Sequence, residues 1–411
     1  MNAVTDPIVT GDAATTVASI RAYHDDLIAI RRDLHAHPEL GFEETRTAQV
    51  VVAQLAALGI ETHTGIGRTG VVGVLRGRPV AGKPLSTRTI GLRADMDALP
   101  IVEANAFAHR STHAHRMHAC GHDGHTTMLL GAARHLASTR DFDGTVHLIF
   151  QPGEEGHAGA RAMIEDGLFE RFPCDTIYAM HNWPSLPAGT IGINPGPMMA
   201  AADRFEIAIE GRGGHGAHPY LTVDPVVVAG HLITAIQSIV SRNVSPIDAA
   251  VVTIAAVETG DLDAFSVIPG SARLIGTARS FKASVQEMLE RRLTEVSTSV
   301  AAAFGATATC RYTRLYPATI NTPNEARFAG DVAASLVGES NVIRDLPPSM
   351  GAEDFSFMLQ VRPGAYLRLG QGGSEAGVFL HNTRYDFNDA VLPIGAGLLA
   401  ALAERSLPRR A

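Results

Sequence analysis

Short apolar runs alternate with helical patterns over the first half of this chain, and that alternation restricts the fold more than any other feature. Residues 71–75, 89–93, 146–150 and 176–180 read as short strands, with a Pro/Gly-containing loop over 77–88. Residues 17–37, 45–58, 126–137 and 158–169 carry helical spacing, and Pro38 and Gly59 close the first two. Apolar strands separated by helices predict a largely parallel α/β sheet covered on both faces.

The pattern changes after Pro195-Gly196-Pro197. Residues 204–210 alternate with period two, as a half-exposed antiparallel strand does. A helix over 225–242, strands over 250–257 and 271–278, and a helix over 284–304 follow. The order β-α-β-β-α fits a small α+β insert on an antiparallel sheet. After Tyr316-Pro317 the α/β pattern resumes, with helices near 324–337 and 394–405. The expected organisation is one discontinuous larger domain, 1–195 with 315–411, interrupted by an insert over 196–314. A chain of 411 residues is also too long for one ordinary core.

Composition narrows the function. A hydrophobic share of 45% and a charged share of 18% describe a globular chain. The net charge of −8, with no basic run, argues against a nucleic-acid partner. Three cysteines, an odd and sparse set, make no disulfide framework and fit a reducing compartment. Residues 1–16 lack a basic segment followed by an apolar one, so no signal peptide is expected. No uninterrupted apolar stretch of about 18 residues occurs, so no membrane span is expected and the cytoplasm is the default location.

Chemistry concentrates in a few segments. Met117-His118-Ala119-Cys120-Gly121-His122-Asp123-Gly124-His125-Thr126 puts a thiol and an imidazole two residues apart in a Gly-containing turn. Both can be aimed at one metal ion. Gln151-Pro152-Gly153-Glu154-Glu155-Gly156, Met180-His181-Asn182 and Leu380-His381-Asn382 supply further donors, each after an apolar run. Loops at strand carboxyl ends are where open α/β sheets place ligands. Adjacent carboxylates repel unless a cation or a proton separates their roles. A metal hydrolase provides that reason: one binds the metal, while the other takes a proton from activated water and delivers it to the leaving amine. The competing reading is a solvated surface turn.

In order along nearly the whole chain, these segments resemble the peptidase M20 family of metal-dependent amidohydrolases. The nearer subgroup is that of hippurate hydrolases, N-acyl-amino-acid amidohydrolases and auxin-conjugate hydrolases. The resemblance begins at Arg31-Arg32-Asp33-Leu34-His35-Ala36-His37-Pro38-Glu39-Leu40 and includes Arg93-Ala94-Asp95-Met96-Asp97-Ala98-Leu99-Pro100. It continues through Gly211-Arg212-Gly213-Gly214-His215-Gly216-Ala217-His218-Pro219 and Gly351-Ala352-Glu353-Asp354-Phe355 to Asp386-Phe387-Asn388-Asp389.

The resemblance implies a di-metal catalytic domain interrupted by a lid or dimerisation domain. It implies two divalent metals held by Cys120, His122, Glu155, His181 and His381, with Glu154 as general base and acid. Much of the family has histidine where Asp95 stands, and a bridging Asp where Cys120 stands. Asp95 is therefore not expected to be a ligand, and Asp97 is expected to orient a ligand histidine. Manganese, zinc, cobalt and nickel all remain open. His215 is implied as an oxyanion donor reaching a partner subunit's site, with His218 a weaker candidate. Asn243 and Arg279 are implied to grip a substrate carboxylate. His113, His115 and His118 read as loop residues, His125 as structural or as a support behind a ligand, and Cys174 and Cys310 as thiols without a role.

The implied reaction is hydrolysis of the amide of a small N-acyl amino acid by a homodimer or dimer-based oligomer, with neither nucleic acid nor membrane as partner. A metallo-dipeptidase or carboxypeptidase is the alternative within the same chemistry. A non-catalytic binding protein is disfavoured because no ligand is missing, and hydride transfer because neither the strand read over 71–75 nor that over 89–93 is followed by a Gly-X-Gly-X-X-Gly.

Overall fold

A computed structural model describes residues 14–373 and 377–409. Most of the N-terminal stretch read above for an export signal lies outside the described residues. The chain packs as two units. One comprises residues up to Met198, Ile320–Pro347 and those from Asp354 onward; the other comprises Met199–Thr319 and Pro348–Glu353.

The first unit is built on an eight-stranded sheet. Its first five strands in the chain are β1 (Glu61–Ile66), β2 (Gly70–Arg76), β3 (Thr89–Asp95), β4 (Thr145–Gln151) and β5 (Thr176–Trp183). The spatial order is β1, β2, β4, β3, β5, followed by Gly364–Gly370, Ile191–Gly192 and Val342–Ile343. The centre is parallel, as the alternation predicts: β4 with β3, β3 with β5, and β5 with Gly364–Gly370. Antiparallel pairs flank it, β1 with β2 and β2 with β4 on one side and Gly364–Gly370 with Ile191–Gly192 on the other. Central strands are buried along almost their whole length, and so is the helix His122–Thr139. Leu92, Leu148, Met128 and Leu399 share one core, which is why these strands read as apolar runs.

Several boundaries differ from the sequence reading. The helix expected over 17–37 is two, Ala14–Arg21 and His24–Ala36. The break falls at Tyr23, whose hydroxyl donates to Gly131 O, so a tertiary contact overrides helical continuity. The segment 158–169 likewise divides into Gly159–Glu165 and Leu168–Arg171, separated by left-handed Gly167. The helix expected from 126 begins at His122, so His122 stands in a first helical turn. β5 runs on to Trp183, placing His181 within the strand. Residues 378–380 form no strand, and His381 sits in a turn with φ +64°.

The second unit is a four-stranded antiparallel sheet in the order Ala250–Thr259, Ser271–Ser280, Ala201–Glu210, Thr307–Tyr316. Phe205, Ile207 and Ile209 present one face to the helices Pro225–Asn243 and Ala283–Ala303. The last strand escaped the sequence reading because Thr, Cys and Arg dominate it and much of it is exposed. Among the described residues only Pro225–Asn243 is long and apolar enough to cross a membrane. Its Val228, Leu232, Ile236 and Ile239 are buried against the sheet, so it is accounted for as a core helix.

Candidate metal centre

Four backbone features of the first unit aim the predicted donors. Gly121 stands before the His122–Thr139 helix with φ +98°, and a Cβ there would come within 2.3 Å of Asn182 Oδ1. Only glycine fits, and its conformation turns Cys120 and His122 to one side. Gly153, at φ +56°, starts the turn that carries Glu154 and Glu155 at the end of β4. β5 delivers His181. The turn after Leu380 delivers His381, whose N–H donates to Ala119 O at 2.7 Å and ties it to the Cys120 segment.

The donor atoms converge. Cys120, His122 and His181 have ligand atoms within 4.8 Å of one another, and so do Cys120, Glu155 and His381. Cys120 is common to both triads. Its Sγ lies 3.4 Å from His181 Nε2. His381 Nε2 lies 3.2 Å from Glu155 Oε1, and His122 Nε2 lies 4.0 Å from the same oxygen. Glu154 is buried, and its carboxylate falls within 4.8 Å of ligand atoms of His122 and Glu155. The backbone N–H of Asp354 donates to Glu154 Oε1 at 3.2 Å.

The surrounding residues set the tautomers. His122 Nδ1–H points to Asp97 Oδ1 at 3.3 Å, which frees Nε2 toward Glu155. His181 Nδ1–H donates to Asn182 O at 2.7 Å, which frees Nε2 toward Cys120. Asp97 also accepts the N–H groups of Glu154 at 3.0 Å and Glu155 at 2.9 Å. Asp95 is engaged on both oxygens: one takes Arg93 Nη1 at 2.8 Å and lies 3.8 Å from His122 Nε2, and the other faces His125 Nδ1 at 2.6 Å, so Asp95, His122 and His125 also bring ligand atoms within 4.8 Å of one another. His125 Nε2 in turn meets Asn182.

This donor set fits a divalent cation. Among the described residues His122 Nε2 is buried with no hydrogen-bond partner, a costly condition unless something else satisfies it. Burial, reinforced by Glu155, Glu154 and Asp95, pushes the Cys120 thiol well above its usual range. Burial alone would lower His122, yet Asp95, Asp97 and Glu155 outweigh it and push its pKa up to about 10. The pocket thus favours positive charge where the donors converge. Burial, with repulsion from His125, holds His181 well below its usual value, so its imidazole stays neutral and able to ligate.

Other predicted residues lie outside this cluster. His215, Asn243 and Arg279 belong to the second unit. His215 is exposed on a two-residue strand, and its Nδ1 accepts the Ala217 N–H at 3.0 Å. His218 is exposed beside it. Asn243 ends its helix and accepts from Arg292 Nε at 3.1 Å. Arg279 is half-buried on Ser271–Ser280, and no carboxylate forms an ion pair with it among the described residues. His113 and His115 are exposed loop residues, but His118 is buried, and among the described residues neither ring nitrogen has a hydrogen-bond partner. Cys174 is a buried free thiol and Cys310 a partly buried one.

Residues 91–405 match the model of Peptidase family M20/M25/M40. The chain belongs to the M20 peptidase family. Among M20 relatives, a hippurate hydrolase of Campylobacter jejuni is 42% identical across 92% of this chain and 96% of its own. An IAA-amino acid hydrolase of Arabidopsis thaliana is 37% identical across 95% and 88%. The crystal structure of Bacillus subtilis YxeP, described as a dinuclear metal-binding peptidase of the M20 family, superposes with a TM-score of 0.80 at 34% identity, over 95% of this chain and 100% of that one.

Sequence reasoning passed over the residues behind the candidate donors. Asn182 follows a predicted ligand yet received no role. Arg93 joins Asp95 to Asp354 and Gln151 through its guanidinium. An Arg-X-Asp spacing on a strand puts both side chains on one face, which was the available signal.

Proposed function

We propose that this M20 enzyme hydrolyses the amide bond of small N-acyl amino acids with two divalent ions per subunit. The observation that carries the reading is the pair of donor triads sharing Cys120, with Glu154 beside them. The similarity to hippurate and auxin-conjugate hydrolases supports the substrate class. Cys120, His122 and His181 would hold one ion and Cys120, Glu155 and His381 the other. Manganese, zinc, cobalt and nickel all suit mixed thiolate, imidazole and carboxylate donors. Ions bound there supply Lewis acidity that polarises the carbonyl and acidifies water.

In this reading Glu154 takes the proton of the attacking water as the C–O bond forms. It returns that proton to the amine nitrogen as the C–N bond breaks. The Asp354 N–H keeps its Oε1 in place. Asp97 orients His122 and the turn that bears both glutamates. His215, supplied by a second copy, donates to the developing oxyanion. Arg279 and Asn243 bind the substrate carboxylate. Burial lowers the pKa of Arg279, with only Asp203 opposing, so an incoming carboxylate would relieve a poorly compensated charge. A dimer is supported by the outer strand Ala250–Thr259 and the exposed Ile247, Leu262 and Phe265 near it.

The test is amine release from N-acetyl, N-benzoyl and indole-acyl amino acids and from simple dipeptides. The protein is assayed as isolated, after chelation, and after each metal is added back. Chelator-sensitive hydrolysis of acyl amino acids is the expected outcome. Cleavage of dipeptides alone would move the protein to the peptidase reading. Recovery of activity on mixing inactive His215→Ala and Glu154→Gln subunits would show that two protomers share a site, and no recovery after verified exchange would refute it.

A further inference from the structure

Glu44 stands at the start of the Thr45–Ala57 helix, where an acidic side chain ordinarily caps its own helix. It makes no such bond. Its carboxylate turns inward and is fully buried. Oε1 accepts the Gly153 N–H at 2.7 Å, and Oε2 accepts the Thr69 hydroxyl. Gly153 opens the turn that carries Glu154 and Glu155, and the next two N–H groups of that turn go to Asp97. Three consecutive backbone amides are therefore held by two buried carboxylates.

The neighbours of Glu44 follow the same turn. A Cβ on Gly153 would reach 3.4 Å from the Phe42 ring, and a Cβ on Gly41 would overlap His157. Phe42 itself adopts φ +66°, a strained conformation for an aromatic residue. Burial, with repulsion from Asp97, pushes the Glu44 pKa up to about 7. Above neutrality its charge is thus retained against folding stability, a burden that an apolar side chain would not impose.

We infer that Glu44 is a positioning residue: it fixes the 153–155 backbone from which Glu154 and Glu155 project toward the metal centre. The inference rests on the roles given to those two residues under Proposed function. Glu44→Met keeps the volume and removes the acceptors. In that variant turnover of the metal-loaded enzyme should fall about 100-fold with KM little changed, the scale of a displacement of about 1 Å. Affinity for Zn(II) or Mn(II) added alone should fall about tenfold. Glu44→Gln still offers an oxygen to the Gly153 N–H and should restore most of both. A packing role predicts a changed melting temperature with wild-type turnover per folded site and wild-type metal affinity in Glu44→Met; that result overturns the proposal. Should Glu44→Met not fold, Thr69→Val releases the carboxylate from its other side. A folded Thr69→Val with neither turnover nor metal affinity reduced overturns it equally. Glu154→Gln, run in parallel, separates the two readings. If Glu154→Gln turns over normally, the proton-carrier role fails, and Glu44 is judged on metal affinity alone.

Discussion

His122 points its Nδ1–H at Asp97 Oδ1 across 3.3 Å, and the same carboxylate holds the backbone amides of Glu154 and Glu155. One buried side chain thereby orients an imidazole donor and the turn that bears both glutamates. An amide at this position can accept on one oxygen only. Asp97→Asn should lower metal affinity by about 10- to 100-fold. Calorimetric titration of metal into the chelated variant checks this, and wild-type affinity in a folded protein would contradict it.

Glu154 lies beside the ligand atoms but belongs to neither Cys120 triad. Glu154→Gln should therefore keep its metal content and lose on the order of 3 kcal/mol of transition-state stabilisation, the scale of general acid–base catalysis. Elemental analysis alongside kcat/KM decides the matter. Near-normal turnover would remove Glu154 from the mechanism.

The one tryptophan, Trp183, has its ring 6.1 Å from that of His181. Its emission should respond when Co(II) or Ni(II) is titrated into chelated protein. In Cys120→Ser the same change should need a higher metal concentration, because both triads lose their shared thiolate. If elemental analysis finds bound metal but the emission never moves, the ion sits elsewhere.

His35 carries a pH dependence of stability. Burial opposes its charge, but hydrogen bonds to Asp123 at 2.8 Å and Glu103 at 3.2 Å prevail and lift its pKa to about 9. The folded state therefore holds the proton more tightly than the unfolded chain. The stabilisation is complete below the ordinary histidine value, declines as pH rises from there, and is lost above about 9. Its full size is roughly 3 kcal/mol. Urea unfolding of wild type and His35→Gln at both ends of that window checks the sign. An equal loss in both proteins would show that His35 is not the source.

Much of the first unit was legible because its central strands are buried on both faces and so must be apolar in sequence. β1 was not legible, since Glu61, Thr62, His63 and Thr64 give an exposed edge strand no apolar run. Gly364–Gly370 was missed because it carries two glycines and a buried Arg368. At the candidate metal centre, the cysteine, histidines and paired glutamates stand out by residue type. Glu44 does not, since nothing in its local sequence says that its side chain abandons its own helix for a turn more than a hundred residues away. Residue type announces a donor, whereas what holds a donor in place is visible only once the chain has folded.

The two triads draw on residues from Cys120 to His381, and the second unit is threaded between His181 and His381. A cation gripped by both Cys120 and His381 would tie together distant parts of the chain that the unfolded polymer keeps apart, a removable cross-link closing a very long loop. The centre would then govern the lifetime of the native state as well as its chemistry. Chelated protein, even where its secondary structure is unchanged, should be cut sooner by a protease than the loaded form.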